Sequence, residues 1–540
     1  MCYILSAWCA SITIRWTLKN KIAPRLFRRC QVDVTGNGKE SPSQFDEIYP
    51  VHFIDQATIL RSSVISYSFR YEHVLDPQRL RESLVTLLSS GDWRKLAGRL
   101  RQNVNGKLEI HVPRHFSRHR PPIRFSNVDF GVDMDAHPLA RRLPRKTGEK
   151  PSIHEGCHTF HEFSAPSSLP NDINHYLVTD EPLISLHVNS FTDGTVVSLT
   201  FPHSLVDVMG MADILQAWTQ VSRGEKTELL ETHVGGAKED IMASVGTADD
   251  KEACDTEFVL DKQQTTGLSL LIFVARYAFD VLIHRNVESH HIYLPAVFMA
   301  HLRRQTEEEL RLQGGTRNES ENFMSDGDLI TAWGSQMVLS SAPTKGAAMI
   351  CNVFDMRKRL SFLRMPSSLR EVSYIQNLIL PSTTLLTADE TGNIGVSKIA
   401  LKVRKSIVEQ TSEAQIRGLM RITRTWFSSL GTMPLFASWD TVRIIVCTNW
   451  TKAKLLNHEG FASVATTAHT KTRANERSPM TLWGSTLAAS DNPRDTFIIY
   501  GKDGDGDYWV HAYLRKETWQ LIEEELDRFS PTEYLRDAAN

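Results

Sequence analysis

One stretch constrains the fold more than any other, the run from Leu183 to Trp218. Leu183 to Phe191 (LISLHVNSF) reads as a strand, Thr192-Asp193-Gly194 as a turn, and Thr195 to Phe201 (TVVSLTF) as the returning strand. Pro202 has no N–H to give the ladder and predicts that strand's end. From Asp207 onward, Met211, Ile214, Leu215 and Trp218 recur at helical spacing. Such a chain packs a helix against an antiparallel hairpin and leaves His203 between the two. Side chains at such junctions project into clefts from rigid supports.

The same alternation returns later in the chain. A helix is predicted over Asp328 to Ser341, capped by Ser325 or Asp326. Ala348 to Phe354 and Val442 to Cys447 read as strands, and Thr496 to Tyr500 with Tyr508 to Leu514 as a hairpin before a helix over Glu517 to Phe529. Two comparable mixed α/β halves follow, 45–224 and 266–540, and 540 residues at 41% hydrophobic content are enough for two cores. Residues 225–265 turn polar and acidic, with Gly235, Gly236 and Gly246, and read as a crossover linker. Residues 1–44 form an N-terminal extension whose last part, 31–44, is a polar linker, and Gln313 to Glu321 reads as a loop.

Charge excludes some functions. Lys plus Arg total 61 and Asp plus Glu 63, a formal charge of −2, so no overall field draws the chain to nucleic acid. Seven dispersed cysteines with no CxxC pair fit a reducing compartment, and a cytoplasmic monomer is expected. Cys2 to Ile14 is mostly apolar, but its cations follow it (Arg15, Lys19, Lys21, Arg25, Arg28, Arg29), the reverse of a signal peptide. Any membrane contact is expected through residues 1–30 only. Leu268 to Ile283 carries Arg276 and Asp280 at i,i+4 spacing and reads as a buried or half-buried helix of a soluble protein.

His203-Ser-Leu-Val-Asp207 is the leading chemical candidate, because a neutral imidazole near pKa 6.5 is a competent general base. His154-Glu-Gly-Cys-His158 satisfies HExxH, yet a zinc protease needs that motif on a helix, and Pro151 and Gly156 argue for a polar loop. Asp503-Gly-Asp-Gly-Asp507 fails as an EF-hand: Tyr508 stands where Gly is needed and Leu514 where Glu is needed. It reads as a hairpin turn. No metal site is expected. GxSxG, a strand-borne GxGxxG and a Walker loop are all missing from the sequence.

Several ordered motifs together give the reading its specificity. The run PLISLHVNSFTDGTVVSLTFPHSLVDVMGMADILQAW resembles the HxxxDG segment of the BAHD-type acyl-CoA-dependent acyltransferases. Asn352-Val-Phe-Asp-Met-Arg-Lys-Arg359 is similar to that family's D-x-R-x-R stretch, Tyr374-Ile-Gln-Asn377 to its Y-F-G-N, and Thr448-Asn-Trp450 to its S/T-x-W strand end. DTFIIYGKDGDGDYWVHAYL resembles the closing strand pair. Fungal natural-product O-acyltransferases are the most similar branch, over about Tyr49 to Phe529. Val208 stands where the family has Gly, and Asn457 to Phe461 (NHEGF) where it has DFGWG.

The resemblance implies two chloramphenicol-acetyltransferase-like domains with the active site in a tunnel between them. It implies acetyl-CoA as co-substrate with no bound cofactor, and a terpenoid or meroterpenoid hydroxyl as acceptor. His203 would be the general base and Asp207 a structural residue paired with Arg357 or, second, Arg359. Thr448 and Trp450 would be oxyanion donors. A non-catalytic binding or regulatory relative of the same fold is the alternative.

Overall fold

The hairpin forms, and a sheet grows around it. The computed structural model describes residues 46–225, 233–312, 323–341, 346–363, 372–392, 394–458, 460–466, 481–486 and 493–532. The N-terminal extension and the loop at 313–321 lie outside the described residues. In chain order, the strands of the two large sheets are β1 (Val64–Tyr71), β2 (Arg124–Asp129), β3 (Ser152–Glu155), β4 (Ser185–Ser190), β5 (Thr195–Pro202) and β6 (Val287–Leu294). They continue as β7 (Ala347–Asp355), β8 (Ile379–Leu386), β9 (Thr441–Asn449), β10 (Thr481–Thr486), β11 (Thr496–Lys502) and β12 (Tyr508–Arg515). The first sheet has the order β10-β1-β5-β4-β2 and the second β8-β7-β9-β11-β12-β6-β3.

Every residue of β5 is buried, and its polar Ser198 is satisfied inside, hydrogen-bonded to Ser68 Oγ at 2.7 Å and the Phe163 carbonyl at 2.8 Å. Helices α1 (Pro77–Leu88) and α2 (Val208–Ser222) pack together beside the first sheet. Asp76 caps α1 by accepting from the Gln78 and Arg79 amides, and Pro77 fits its first turn. Met211, Ile214, Leu215 and Trp218 form the buried stripe of α2. The Trp218 indole reaches Ser83 Oγ of α1 at 2.9 Å.

The halves exchange strands. β3, from the first half, edges the second sheet beside β6, while β10, from the second half, pairs with β1. This corrects the loop reading of the HExxH stretch: Ser152 to Glu155 is a strand, and a 3₁₀ turn follows at Cys157–Phe160. The stretch between the halves is also no free tether. His233 and Val234 pair with Val372 and Ser373, and Met242, Val245 and Phe258 are buried in a core of the second half.

The second half is layered by α3 (Gly267–Ile283), α4 (Ala296–Leu312), α5 (Asp326–Ser340), α6 (Val396–Gln410), α7 (Glu413–Leu430) and α8 (Lys516–Arg528). Ser325 opens α5 with a capping box completed by Asp328. Helix α3 is the half-buried of the two expected states, with one face on the core and the other exposed. Phe273 is its one buried residue, while Leu268 is 71% and Phe279 65% exposed. Asp280 is not held by Arg276 four residues earlier but by Arg443, Arg494 and Arg515, at 3.4, 3.3 and 2.6 Å. The i,i+4 spacing lost to three guanidinium groups brought in by strand packing.

Candidate active site

His203 follows directly on β5. Its amide donates to the Ser63 carbonyl at 2.8 Å, and its carbonyl accepts from Asn377 Nδ2 at 2.8 Å, so both halves grip its backbone. The imidazole lines a cavity of ≈320 Å³. Ile65 and Tyr67 of β1 face that cavity from the first half, and Met349, Thr448 and Leu435 from the second. His203 Nδ1 is buried without a hydrogen-bond partner. Burial lowers the pKa of the ring, against the opposing pull of the His203 and Val206 carbonyls and the Asp207 charge. Burial thus favours the neutral imidazole, the form that can accept a proton.

Asp207, four residues on, is saturated. It caps α2 by accepting from the Gly210 amide at 2.9 Å, and it accepts from the Leu378 amide at 3.1 Å. Arg357 then grips both of its oxygens, Nη1 to Oδ2 at 2.9 Å and Nη2 to Oδ1 at 2.8 Å. This is the bidentate geometry in which a guanidinium matches a carboxylate best. Burial alone would lower the Arg357 pKa, but Asp207 and Asp355 outweigh it and raise it. Arg357 also donates to the Tyr374 and Gln376 carbonyls, fastening the chain that passes over the motif. That chain lies so close that a Cβ at Gly210 would meet the Ile375 carbonyl oxygen at 2.1 Å. Arg359 does not reach Asp207. It donates to the Thr411 carbonyl at 3.1 Å and sits over the Phe354 ring.

Behind the motif lies a polar group that no sequence signal marks. Asp55, fully buried, accepts from Gln376 Nε2 at 2.9 Å and from Asn377 Nδ2 at 2.5 Å, the same amide that holds the His203 carbonyl. Lys95 Nζ donates to Gln376 Oε1. Burial pushes the Asp55 carboxyl up to about 8 and the Lys95 ammonium down to about 7. A lone Asp in a three-residue 3₁₀ turn gives nothing to read, because its partner stands 322 positions further along the chain.

Thr448 and Trp450 reach the same cavity from the end of β9. Trp450 Nε1 donates to Thr448 Oγ1 at 3.1 Å, and the Trp450 ring stacks on Tyr500 at 5.2 Å. The indole N–H is thus engaged, and the Thr448 hydroxyl hydrogen is the one left to point elsewhere. The HExxH residues are not brought together as ligands: His154 meets Ser152 Oγ at 2.9 Å, and Glu155 pairs with Arg142. Asp503, Asp505 and Asp507 do cluster, around the ammonium of Lys146 at 2.7, 2.5 and 3.0 Å.

Similarity to known proteins identifies the family. The family described as Transferase family matches residues 164–267, the stretch that holds the hairpin and the His203 motif. Acetyltransferase BOT5 of Botryotinia fuckeliana is 49% identical, covering 94% of this chain and 96% of its own. The chain belongs to the BAHD-type acyltransferase family. It is an acyl-CoA-dependent acetyltransferase of the fungal natural-product branch. Acetyltransferase pyiB of Pyricularia grisea is 34% identical over 89% of this chain and 93% of its own. Among solved structures, Fusarium graminearum TRI101 complexed with coenzyme A and T-2 mycotoxin superimposes with a TM-score of 0.63 at 14% identity, covering 90% of this chain and 99% of that one. At that identity the likeness shows the fold, two chloramphenicol-acetyltransferase-like domains. Acetyl-CoA is the co-substrate of this acetyltransferase.

Proposed function

We propose that the protein moves the acetyl group of acetyl-CoA to a hydroxyl of a terpenoid or meroterpenoid, with His203 as general base. The observation that carries this reading is the placement of the His203 imidazole, on a backbone gripped from both halves, against a largely apolar cavity between the halves. The acceptor oxygen attacks the thioester carbonyl carbon while its proton passes to the imidazole. The tetrahedral intermediate then collapses, the C–S bond breaks, and the imidazolium returns that proton to the CoA sulfur. The products are an ester and free CoA, with no acyl-enzyme between them. Thr448 would donate to the developing oxyanion, oriented by Trp450.

Asp207 has no lone-pair direction left for the imidazole. We assign it to the clamp with Arg357, not to a proton relay. The cavity is at the small end of the range for ligand pockets and its walls are aliphatic and aromatic, which suits a compact, weakly polar alcohol. TRI101, of the same fold, was solved with coenzyme A and T-2 mycotoxin. Incubating the protein with acetyl-CoA and a panel of terpenoid alcohols, read by mass spectrometry, tests the reading. A gain of one acetyl group on at least one alcohol is expected. Acetylation of amines alone, or of nothing in a broad panel, would refute it.

A further inference from the structure

Helix α3 is apolar on two opposite sides, with Ser269, Arg276 and Asp280 between them. Leu270, Phe273, Val274 and Tyr277 pack inward, on the core that includes Leu435 and Phe436. Leu268, Leu271, Ile272, Phe279, Leu282 and Ile283 are left bare on the outside. Among the described residues, no other element exposes more than one large apolar side chain. A helix with two opposite apolar faces belongs with both of them covered. Here one is not.

The surroundings indicate what covers it. Arg276 is exposed in the middle of the helix and Arg285 just past its end, whereas Asp280, its one acidic residue, is turned inward to three arginines. The exposed charges from α3 through Arg285 are therefore positive. Trp439, 58% exposed, stands beside it, its carbonyl accepting from Arg276 Nη1 at 3.4 Å. Indole rings favour the boundary between water and hydrocarbon. The sequence supplies a second signal of the same kind, the apolar run Cys2 to Ile14 followed by six Lys and Arg residues up to Arg29. Stable attachment to a bilayer surface takes two such signals. A second copy of the chain fits less well, because an antiparallel pairing about the helix centre would set Arg276 against its own counterpart.

We propose that α3 is an interfacial helix that docks the protein on an anionic lipid surface. It lies on the surface and does not cross it, since no helix among the described residues is long and apolar enough to span a membrane. Its inner side supports the cavity wall. The Thr265 amide, at its start, donates to the Leu435 carbonyl at 2.8 Å, and Arg494, between Pro493 and Thr496, donates to the Val281 carbonyl at 3.2 Å. Leu435, Pro493 and Thr496 all line the cavity. Docking sets that wall against the phase in which apolar alcohols dissolve.

The test uses the full chain and vesicles of equal parts phosphatidylcholine and phosphatidylserine, read by flotation, so it needs no turnover and stands apart from the assignment of His203. Wild type should float with the vesicles. The variant Leu271→Glu/Phe279→Glu should partition about tenfold or more weaker at an unchanged melting temperature, having lost two buried apolar groups. If that variant does not fold, Arg276→Glu/Arg285→Glu carries the same test, because each reversed charge weakens attraction to anionic lipid. Wild type that stays unbound, or charge-reversed and apolar-deleted variants that float as well as wild type, would overturn the proposal. So would a wild-type dimer in light scattering that Leu271→Glu converts to monomer without any vesicle binding.

Discussion

Strands β5 and β9 hold comparable places, each interior in its sheet and each running out at the cavity, yet their ends are built differently. β5 leads into His203, whose ring lines the cavity and whose backbone is gripped by the other half through Asn377. β9 ends in residues whose side chains are tied to each other, Trp450 to Thr448, and whose backbone is held within its own half by the Ile499 carbonyl at 2.8 Å. The difference follows from the work proposed for each. A base must approach and leave a proton, so its ring is left open and its position is fixed from behind. A donor to a developing oxyanion must already point the right way, so its hydroxyl is oriented in advance.

Breaking the grip behind β5 should have the largest effect on stability. Asp207→Asn breaks the bidentate pair and leaves buried Arg357 only Asp355, 2.8 Å from Nη1, to offset its charge; breaking a buried pair from one side costs about 3–5 kcal/mol at most here. Thermal denaturation should show a clearly lowered melting temperature together with lost activity. A variant as stable as wild type but inactive would instead place Asp207 in direct partnership with His203. At the end of β9, Thr448→Val keeps the shape and removes the donor. The expected loss is roughly 10²-fold in kcat, about 3 kcal/mol, with little change in KM or melting temperature. An unchanged kcat would remove Thr448 from the oxyanion site.

Gly210→Ala probes how tightly the second half closes over the motif. The added methyl would meet the Ile375 carbonyl oxygen at 2.1 Å, so backbone must shift. A cost of about 1–3 kcal/mol in denaturant unfolding is expected, as for other overpacked positions. A neutral substitution would mean that the closure is loose.

A smaller effect concerns the junction where β6, β12 and the exchanged strand β3 meet. His291 and His511 stack there, fully buried, with ring centroids 4.6 Å apart. Burial lowers the pKa of His291 to about 4 and that of His511 well below the ordinary value. Between pH 6.5 and about 4 the unfolded chain takes up protons that the folded one refuses, so stability present at pH 7 is lost as pH falls through that window. Replacing either histidine by Gln should flatten the decline in melting temperature from pH 7 to 5. An unaltered slope would show that other groups control it.

Much of this architecture was legible because it repeats locally. The hairpin, the stripe of α2 and the strands at Ala347–Asp355 and Thr441–Asn449 all show in periodicity and in turn residues. The pairing of Asp207 with Arg357 was expected from resemblance, and geometry separates Arg357 from Arg359. What periodicity cannot carry was missed. Ser152 to Glu155 is a four-residue strand between Pro151 and Gly156, recruited only because β6 offers an open edge. An apolar run leaves α3 buried or half-buried, because nothing in it tells a covered face from a bare one. Asp55 acts through a contact made far along the chain, and a single Asp has no period.

The role proposed for His203 is tested most directly by kcat/KM for acetyl transfer and the melting temperature, both measured on wild type and on His203→Ala. Removing a general base typically costs 10²- to 10⁴-fold in rate. Because the ring faces the cavity and its backbone contacts need no side chain, the melting temperature should be nearly unchanged. Turnover within about threefold of wild type would contradict the assignment, since no general base worth 10² could then have been lost.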